Sequence, residues 1–432
     1  MIVAFFALAL SKKQFGIMID AGSKGTRVHV FQWDLSKDFP DVKHYPDNEN
    51  PWSIKFKIPL ASAANNESVI RELGSQILGY LVDKIESKKR KETKMYLYAT
   101  AGMRVIPEIQ QKQVLDDIFE YLSNNSDFIM DRNDFTVIPG SYEGIYGWIS
   151  VNHLKDKLSK KEKTYGMLDQ GGASMQIANL VDYTSGHSNV YSFQIGKNTY
   201  NVFSYSYLGF GSEQSKAIMM NWSYPNQANL KQNPCLTYNF SAGDQLGIGN
   251  FHFCSDYIMS NIINTASFQS VHITLSSKSY YGISGFYDLK DDLGLNKESS
   301  LKDLLRAGEH VCSAEWNDLQ KEFPKCKRLD ALCFNSAFQY SLLTQGWGFN
   351  DDNYEIIKAE KIDSVEVSWA LGAMLLRASG NTLSTNTTSQ DIPTKASPSL
   401  YPVLIVFFVA VIIMGIVFFR KPKHIEMGEP LL

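Results

Sequence analysis

The stretch GIMIDAGSKGTR (residues 16–27) runs from an apolar strand into a carboxylate, Asp20, and then into small and hydroxyl-bearing residues. A tight turn needs one glycine. Gly22 and Gly25, set around Ser23 and followed by Thr26, describe a backbone that comes close to another group, and phosphate is the usual one. Lys24 and Arg27 suit an anionic guest. The next residues, VHVFQW, alternate as a second strand does, so an ordinary β-hairpin also accounts for the stretch.

A second stretch, YGMLDQGGASMQIA (residues 165–178), repeats the order strand, aspartate, glycines, hydroxyl about 150 residues later. Asp169 answers Asp20, Gly171 and Gly172 answer the first glycine pair, and Ser174 answers Ser23. A hairpin alone gives no reason for the recurrence. Two such loops, from two related lobes, can face each other across a cleft and grip a polyphosphate from both sides. Between them, MYLYATAGMRVI (95–106) is an apolar strand ending in small residues, with Thr100 and Arg104 where it stops. GSYEGIYGWISVN (140–152) sets Glu143 at the start of a helix, where a carboxylate also suits the helix dipole.

These four stretches, in this order, resemble the apyrase regions of the nucleoside triphosphate diphosphohydrolase family. A fifth, VSWALGAML from Val367, resembles its last region around Trp369 and Gly372, and YLGFG at Tyr207 and NPC at Asn233 look like further landmarks. The resemblance implies an α/β, two-lobed, actin-like ectodomain: lobe I over 15–139 with 365–377 returning to it, lobe II over 140–364. It implies hydrolysis of nucleoside tri- or diphosphates. Ser23, Lys24, Gly25, Thr26, Arg27, Thr100, Arg104, Gly171, Gly172, Ala173 and Ser174 are expected around the phosphates. Asp20 and Asp169 are expected to hold Ca²⁺ or Mg²⁺ through water, and Glu143 to serve as general base on a water oriented by Ser174 and Gln176. Disulfides Cys235–Cys254 and Cys312–Cys333 follow from the same pattern, with Cys326 left over. Phe338 and Tyr354 are residue types that can sandwich a nucleobase, and core packing is the other, stronger reading of Phe338. Lys24, Gln170 and Met175 depart from the family's usual residues, and Lys24 either adds a phosphate contact or points outward. An exopolyphosphatase-like hydrolase and an actin-type ATP-binding receptor are the competing classes.

Composition is that of a globular protein. The 432 residues are 44% hydrophobic and 20% charged with a net charge of −3, which gives no support to nucleic-acid binding. The basic run from Lys88 follows a helical pattern and reads as a solvated helix end. Residues 400–419 form 20 uncharged residues, and at 1.5 Å per residue they reach about 30 Å, a bilayer's hydrocarbon thickness. Arg420, Lys421 and Lys423 place the tail 420–432 on the cytoplasmic side. A Ser/Thr-rich stalk over 378–399 precedes the span, and residues 1–10 read as a signal peptide. The expectation is a single-pass protein with its large part at the cell surface or in the Golgi lumen. Sequons at Asn66, Asn124, Asn221, Asn239 and Asn386 agree with that side. Nothing in the sequence bears on oligomeric state.

Overall fold

The computed structural model describes residues 13–35, 39–47, 51–160, 162–182, 189–220, 231–265, 268 and 275–383. The expected signal peptide, the stalk beyond 383, the span at 400–419, the tail, Asn221 and Asn386 lie outside them. Among the described residues no helix is long and apolar enough to cross a membrane.

Strands β1 (Lys13–Gly22) and β2 (Gly25–Asp34) pair antiparallel, with Asp20 opposite Arg27 and Gly22 opposite Gly25. Residues 16–27 are thus a hairpin with Ser23 and Lys24 at its tip. β3 (Lys43–His44) and β4 (Ser53–Phe56) both pair with β2. After helix α1 (Ser68–Lys84), β5 (Lys94–Ala99) lies parallel to β1. The short helix α2 (Ala101–Arg104), α3 (Glu108–Asn124) and β6 (Phe135–Val137), parallel to β5, complete a six-stranded sheet. The unbroken apolar run of β1 has a simple cause. Ile17 and Ile19 pack under α1 and α3 with Leu73, Ile77, Ile118 and Leu122, while Met18 faces the opposite core. A strand buried on both faces does not alternate. The basic run at 88–90 forms a helical turn, and Arg90 donates to the Ile85 carbonyl at 2.9 Å, beyond the C-terminal end of α1.

Helix α4 (Gly140–Leu154) leads to a second hairpin, β7 (Gly166–Gln170) with β8 (Ser174–Leu180). β9 (Val190–Ile195) and β10 (Asn198–Leu208) extend the sheet beyond β8. On the other side of β7 come β11 (Ser279–Ser284) and β12 (Glu355–Lys358), both parallel. Helices α5 (Gly285–Asp292), α6 (Leu301–Ser313) and α7 (Leu332–Ser341) pack on that sheet with Phe334, Phe338 and Tyr280 in its core. The order β12-β11-β7-β8-β10-β9 reproduces the first sheet's plan. In both, the aspartate strand sits between its hairpin partner and a parallel neighbour.

α4 is buried from Tyr142 to Asn152, all round its circumference, because a shared core surrounds it. That core joins Met18, Tyr98 and Trp33 to Met167, Ile195 and the last helix, α8 (Trp369–Ala378). Gly372 lets α8 approach α4. A Cβ there would stand 2.0 Å from the Tyr146 carbonyl oxygen. The described residues form one compact unit.

The expected disulfides are present, Cys235–Cys254 and Cys312–Cys333, and Cys326 is free. The NPC stretch works locally: Asn233 Oδ1 accepts from the Cys235 N–H at 2.8 Å and so fixes the turn that presents the cysteine. The described sequon asparagines, Asn66, Asn124 and Asn239, are all exposed.

Candidate active site

β1 and β7 end at the same cleft. Asp20, Gly22, Ser23, Lys24, Gly25 and Arg27 line it from the first hairpin, and Asp169, Gly171, Gly172, Ala173 and Ser174 from the second. Thr100 comes from the end of β5, Glu143 from the first turn of α4, and Trp369 from the start of α8. The two tips touch. A Cβ on Gly172 would lie 2.7 Å from Ser23 Oγ and 2.7 Å from a Lys24 side-chain carbon. Lys24 reaches across to the second hairpin's side, where its Nζ donates to Ser212 Oγ at 2.9 Å and stands 3.2 Å from Glu213.

Three carboxylates are buried here: Asp20 is 8% exposed, Glu143 7% and Asp169 5%. Among the described residues, Asp20 Oδ1 and Asp169 Oδ1 have no hydrogen-bond partner. Burial pushes Asp20 up to about 7; Arg27 opposes the rise, while Glu143 and Asp169 add to it. Burial likewise pushes Glu143 up to about 7, opposed by Arg104 and helped by Asp169. Asp169 is raised by burial, against a hydrogen bond with Ser284. The cations beside these acids, Arg27 and Arg104, do not offset their burial. Two orphaned oxygens at strand ends fit a hard cation, which takes oxygen ligands and keeps water in its shell. Among the described residues no cluster of three or more His, Cys, Asp or Glu side chains is arranged to hold a metal directly.

Glu143 shares one oxygen, Oε2, between Arg104 Nη2 and Gln176 Nε2, the latter at 3.3 Å. Gln176 Nε2 also lies 2.8 Å from Ser174 Oγ and 2.9 Å from Ser206 Oγ, while its buried Oε1 has no partner.

Some expected residues are placed elsewhere. Thr26 is fully buried and its hydroxyl donates to the Ile58 carbonyl at 2.9 Å. Arg104 and Gln176 stand beside Glu143 and do not line the cleft. The expected stacking pair is not brought there either. Phe338 is 1% exposed and stacks on Phe334 at 5.6 Å, and Tyr354 stands edge-on to Phe349 at 5.1 Å. Other residues line the cleft without having been singled out: Lys55 on β4, Ser284 at the end of β11, Tyr287 and Asp288 in α5, and Glu360 and Glu366. The stretch SYYGISGFYD repeats the strand-then-small-residues signature and was findable on that ground. Lys55, in an ordinary edge strand, carries no such signal.

Two aspartate-bearing hairpins, one from each sheet of an α/β fold, thus close a cleft with a buried glutamate between them. Residues 8–394 match the GDA1/CD39 (nucleoside phosphatase) family, and the chain belongs to it as a nucleotide phosphohydrolase. Human ectonucleoside triphosphate diphosphohydrolase 4 is 27% identical, over 84% of this chain and 72% of its own. Golgi apyrase of Schizosaccharomyces pombe is 29% identical, over 86% and 76%. Bovine ectonucleoside triphosphate diphosphohydrolase 1 is 27% identical, over 98% and 93%. Among solved structures, a nucleoside triphosphate hydrolase of Neospora caninum has the same fold with a TM-score of 0.61 at 15% identity, covering 86% of this chain and 93% of that one.

Proposed function

We propose that this chain removes the terminal phosphate of nucleoside tri- or diphosphates with a divalent cation, Ca²⁺ or Mg²⁺, on the extracellular or lumenal side of a membrane. The observation that carries the reading is the pair of orphaned carboxylate oxygens, Asp20 Oδ1 and Asp169 Oδ1, in one cleft with buried Glu143. Asp20 and Asp169 would hold the cation, chiefly through water. When bound, it supplies charge stabilisation at the phosphoryl oxygens. The hairpin tips offer backbone N–H groups and the hydroxyls of Ser23 and Ser174 to the phosphates. Arg27 and Lys55 add cations that have no ion-pair partner among the described residues. Glu143 takes a proton from the attacking water through Oε1, since Oε2 is already engaged. Ser174 Oγ and the unpaired Oε1 of Gln176 are the groups available to orient that water. Phosphoryl transfer asks for this kind of positioning and charge placement, and for no covalent nucleophile.

We read residues 15–139 with 365–377 as one lobe and 140–364 as the other. The uncharged stretch 400–419 is the membrane span, preceded by a stalk and followed by a cytoplasmic tail. Relatives named for the Golgi and for the cell exterior support a lumenal or extracellular ectodomain. The deciding experiment is phosphate release by the full-length protein from ATP, ADP, UDP, GDP and polyphosphate, in chelator and then in Ca²⁺ or Mg²⁺. Nucleotide turnover that requires either cation is expected. Metal-independent release, or a preference for polyphosphate, would overturn the reading.

A further inference from the structure

Arg104 was expected among the phosphate ligands, yet the fold gives it a different neighbour. It is the last residue of α2, and its guanidinium runs to the start of α4. There a Cβ on Gly140 would stand 2.6 Å from Arg104 Nη1 and 2.3 Å from Ser206 Oγ. Gly140 is what leaves room for both groups under the first turn of α4. The Arg104 and Glu143 side chains are 15% and 9% exposed, so the ion pair is largely out of water. Arg104 and Gln176 grip the same oxygen, Oε2. Gln176 is tethered in turn by Ser174 at 2.8 Å and Ser206 at 2.9 Å.

We propose that Arg104 is a positioning residue for Glu143: with Gln176, which Ser206 tethers, it fixes Oε2 and leaves Oε1 to the water. The proposal rests on the reading of Glu143 as general base. The charges facing Glu143 are Arg104 from α2, Asp20 from β1 and Asp169 from β7, and of these only Arg104 favours the ionised form. A buried charged hydrogen bond is geometrically specific, so its loss frees the carboxylate to rotate as well as to protonate. The rival role is a phosphate contact through the Arg104 Nε–H, which has no partner among the described residues.

The test compares Arg104→Ala, Arg104→Lys, Glu143→Gln and the double variant Arg104→Ala/Glu143→Gln in the full-length chain, on ATP and on UDP with Mg²⁺. Arg104→Ala is expected to lower kcat by roughly 10- to 100-fold, the scale of one charged hydrogen bond lost from a buried site, with KM little changed. Its acidic limb moves to higher pH, because the base is now harder to ionise, and Arg104→Lys restores part of the loss. The double variant should be no slower than Glu143→Gln, because Arg104 acts only through that carboxylate. Losses that multiply in the double variant, with KM raised in Arg104→Ala, would overturn the proposal and make Arg104 a phosphate ligand. Near-full activity of Glu143→Gln would instead remove the base reading itself. Should Arg104→Ala melt below assay temperature, Arg104→Gln keeps the bulk without the charge and carries the same comparison.

Discussion

The two hairpin tips share a plan and differ in how they are held. The first is fixed mainly within its own sheet. The Thr100 N–H donates to the Ala21 carbonyl at 3.1 Å, and Gly25, with φ of +147°, passes so near β4 that a Cβ would stand 2.3 Å from the Phe56 carbonyl oxygen. The second is clamped by the segment that follows β10. There the N–H groups of Gly209, Ser212 and Glu213 donate to Ala173, Gly171 and Gly172 at 2.8, 3.0 and 3.0 Å. Gly211 lies so close that a Cβ would stand 2.3 Å from the Ala173 nitrogen. The charge also differs. Arg27 and Lys55 belong to the first sheet, whereas the second hairpin contributes Asp169 without a lysine or arginine. One tip brings cations and the other a rigid backbone cradle.

The largest effects should come from removing what the tips share. Asp20→Ala and Asp169→Ala are each expected to abolish most turnover, and the double variant to be little worse than the worse single, as for residues acting on one ion. Additive losses of melting temperature with turnover kept would mean that each aspartate only caps its own turn. Glu143→Gln stands next, with a fall of roughly 10²- to 10⁴-fold in kcat and nucleotide binding retained. Substantial activity in that variant would end its role as base.

The clamp is tested by Gly211→Ala, which forces a methyl against the second tip's backbone. We expect a loss of about 1–3 kcal/mol in stability and a rise in KM. An unchanged melting temperature would show that the tip yields freely. The acids give a pH test. Asp20 and Glu143 rise from ordinary values of 3.8 and 4.5 to about 7 in the fold, so the folded state binds more protons than the unfolded chain between those limits. Without added cation, stability should therefore fall as pH climbs from about 4 to 7. Ca²⁺ or Mg²⁺ at neutral pH should recover it, and a thermal melt indifferent to both would argue against a cation held by these acids.

The smallest effect belongs to Lys24, whose bridge to Ser212 and Glu213 is exposed, at 41% and 64% for the two charged side chains. Such pairs contribute about 0–1 kcal/mol, so Lys24→Ser should change stability little. A drop in turnover beyond about tenfold would mean that Lys24 leaves the bridge for the phosphates.

Much of the site was legible along the chain, because strand ends that bear aspartates and glycines have a local signature. Asp20, Ser23, Gly171 and Ser174 fall together because the signature and the cleft have the same cause, a backbone that must come close to a ligand. Two expected residues are placed away from the open cleft, and each placement has a cause. Thr26 sits on the face of β2 that turns toward Ile58, and β-strand alternation decides that side only once the pairing is known. Phe338, a ring that suits a core at least as well as a stack, is buried by α7 in the core of the second sheet.

By itself, the sequence determined the repeat, the aspartate-bearing hairpins, the glutamate at a helix start and the family, because each is written in residues that are near neighbours along the chain. Only the tertiary structure decided that Arg104 meets Glu143 across 39 residues, that Lys24 crosses to Ser212 over 188, and that Lys55 reaches the cleft. Those meetings depend on how two sheets pack about α4 and α8, and side-chain contacts between distant elements leave no periodic trace in sequence.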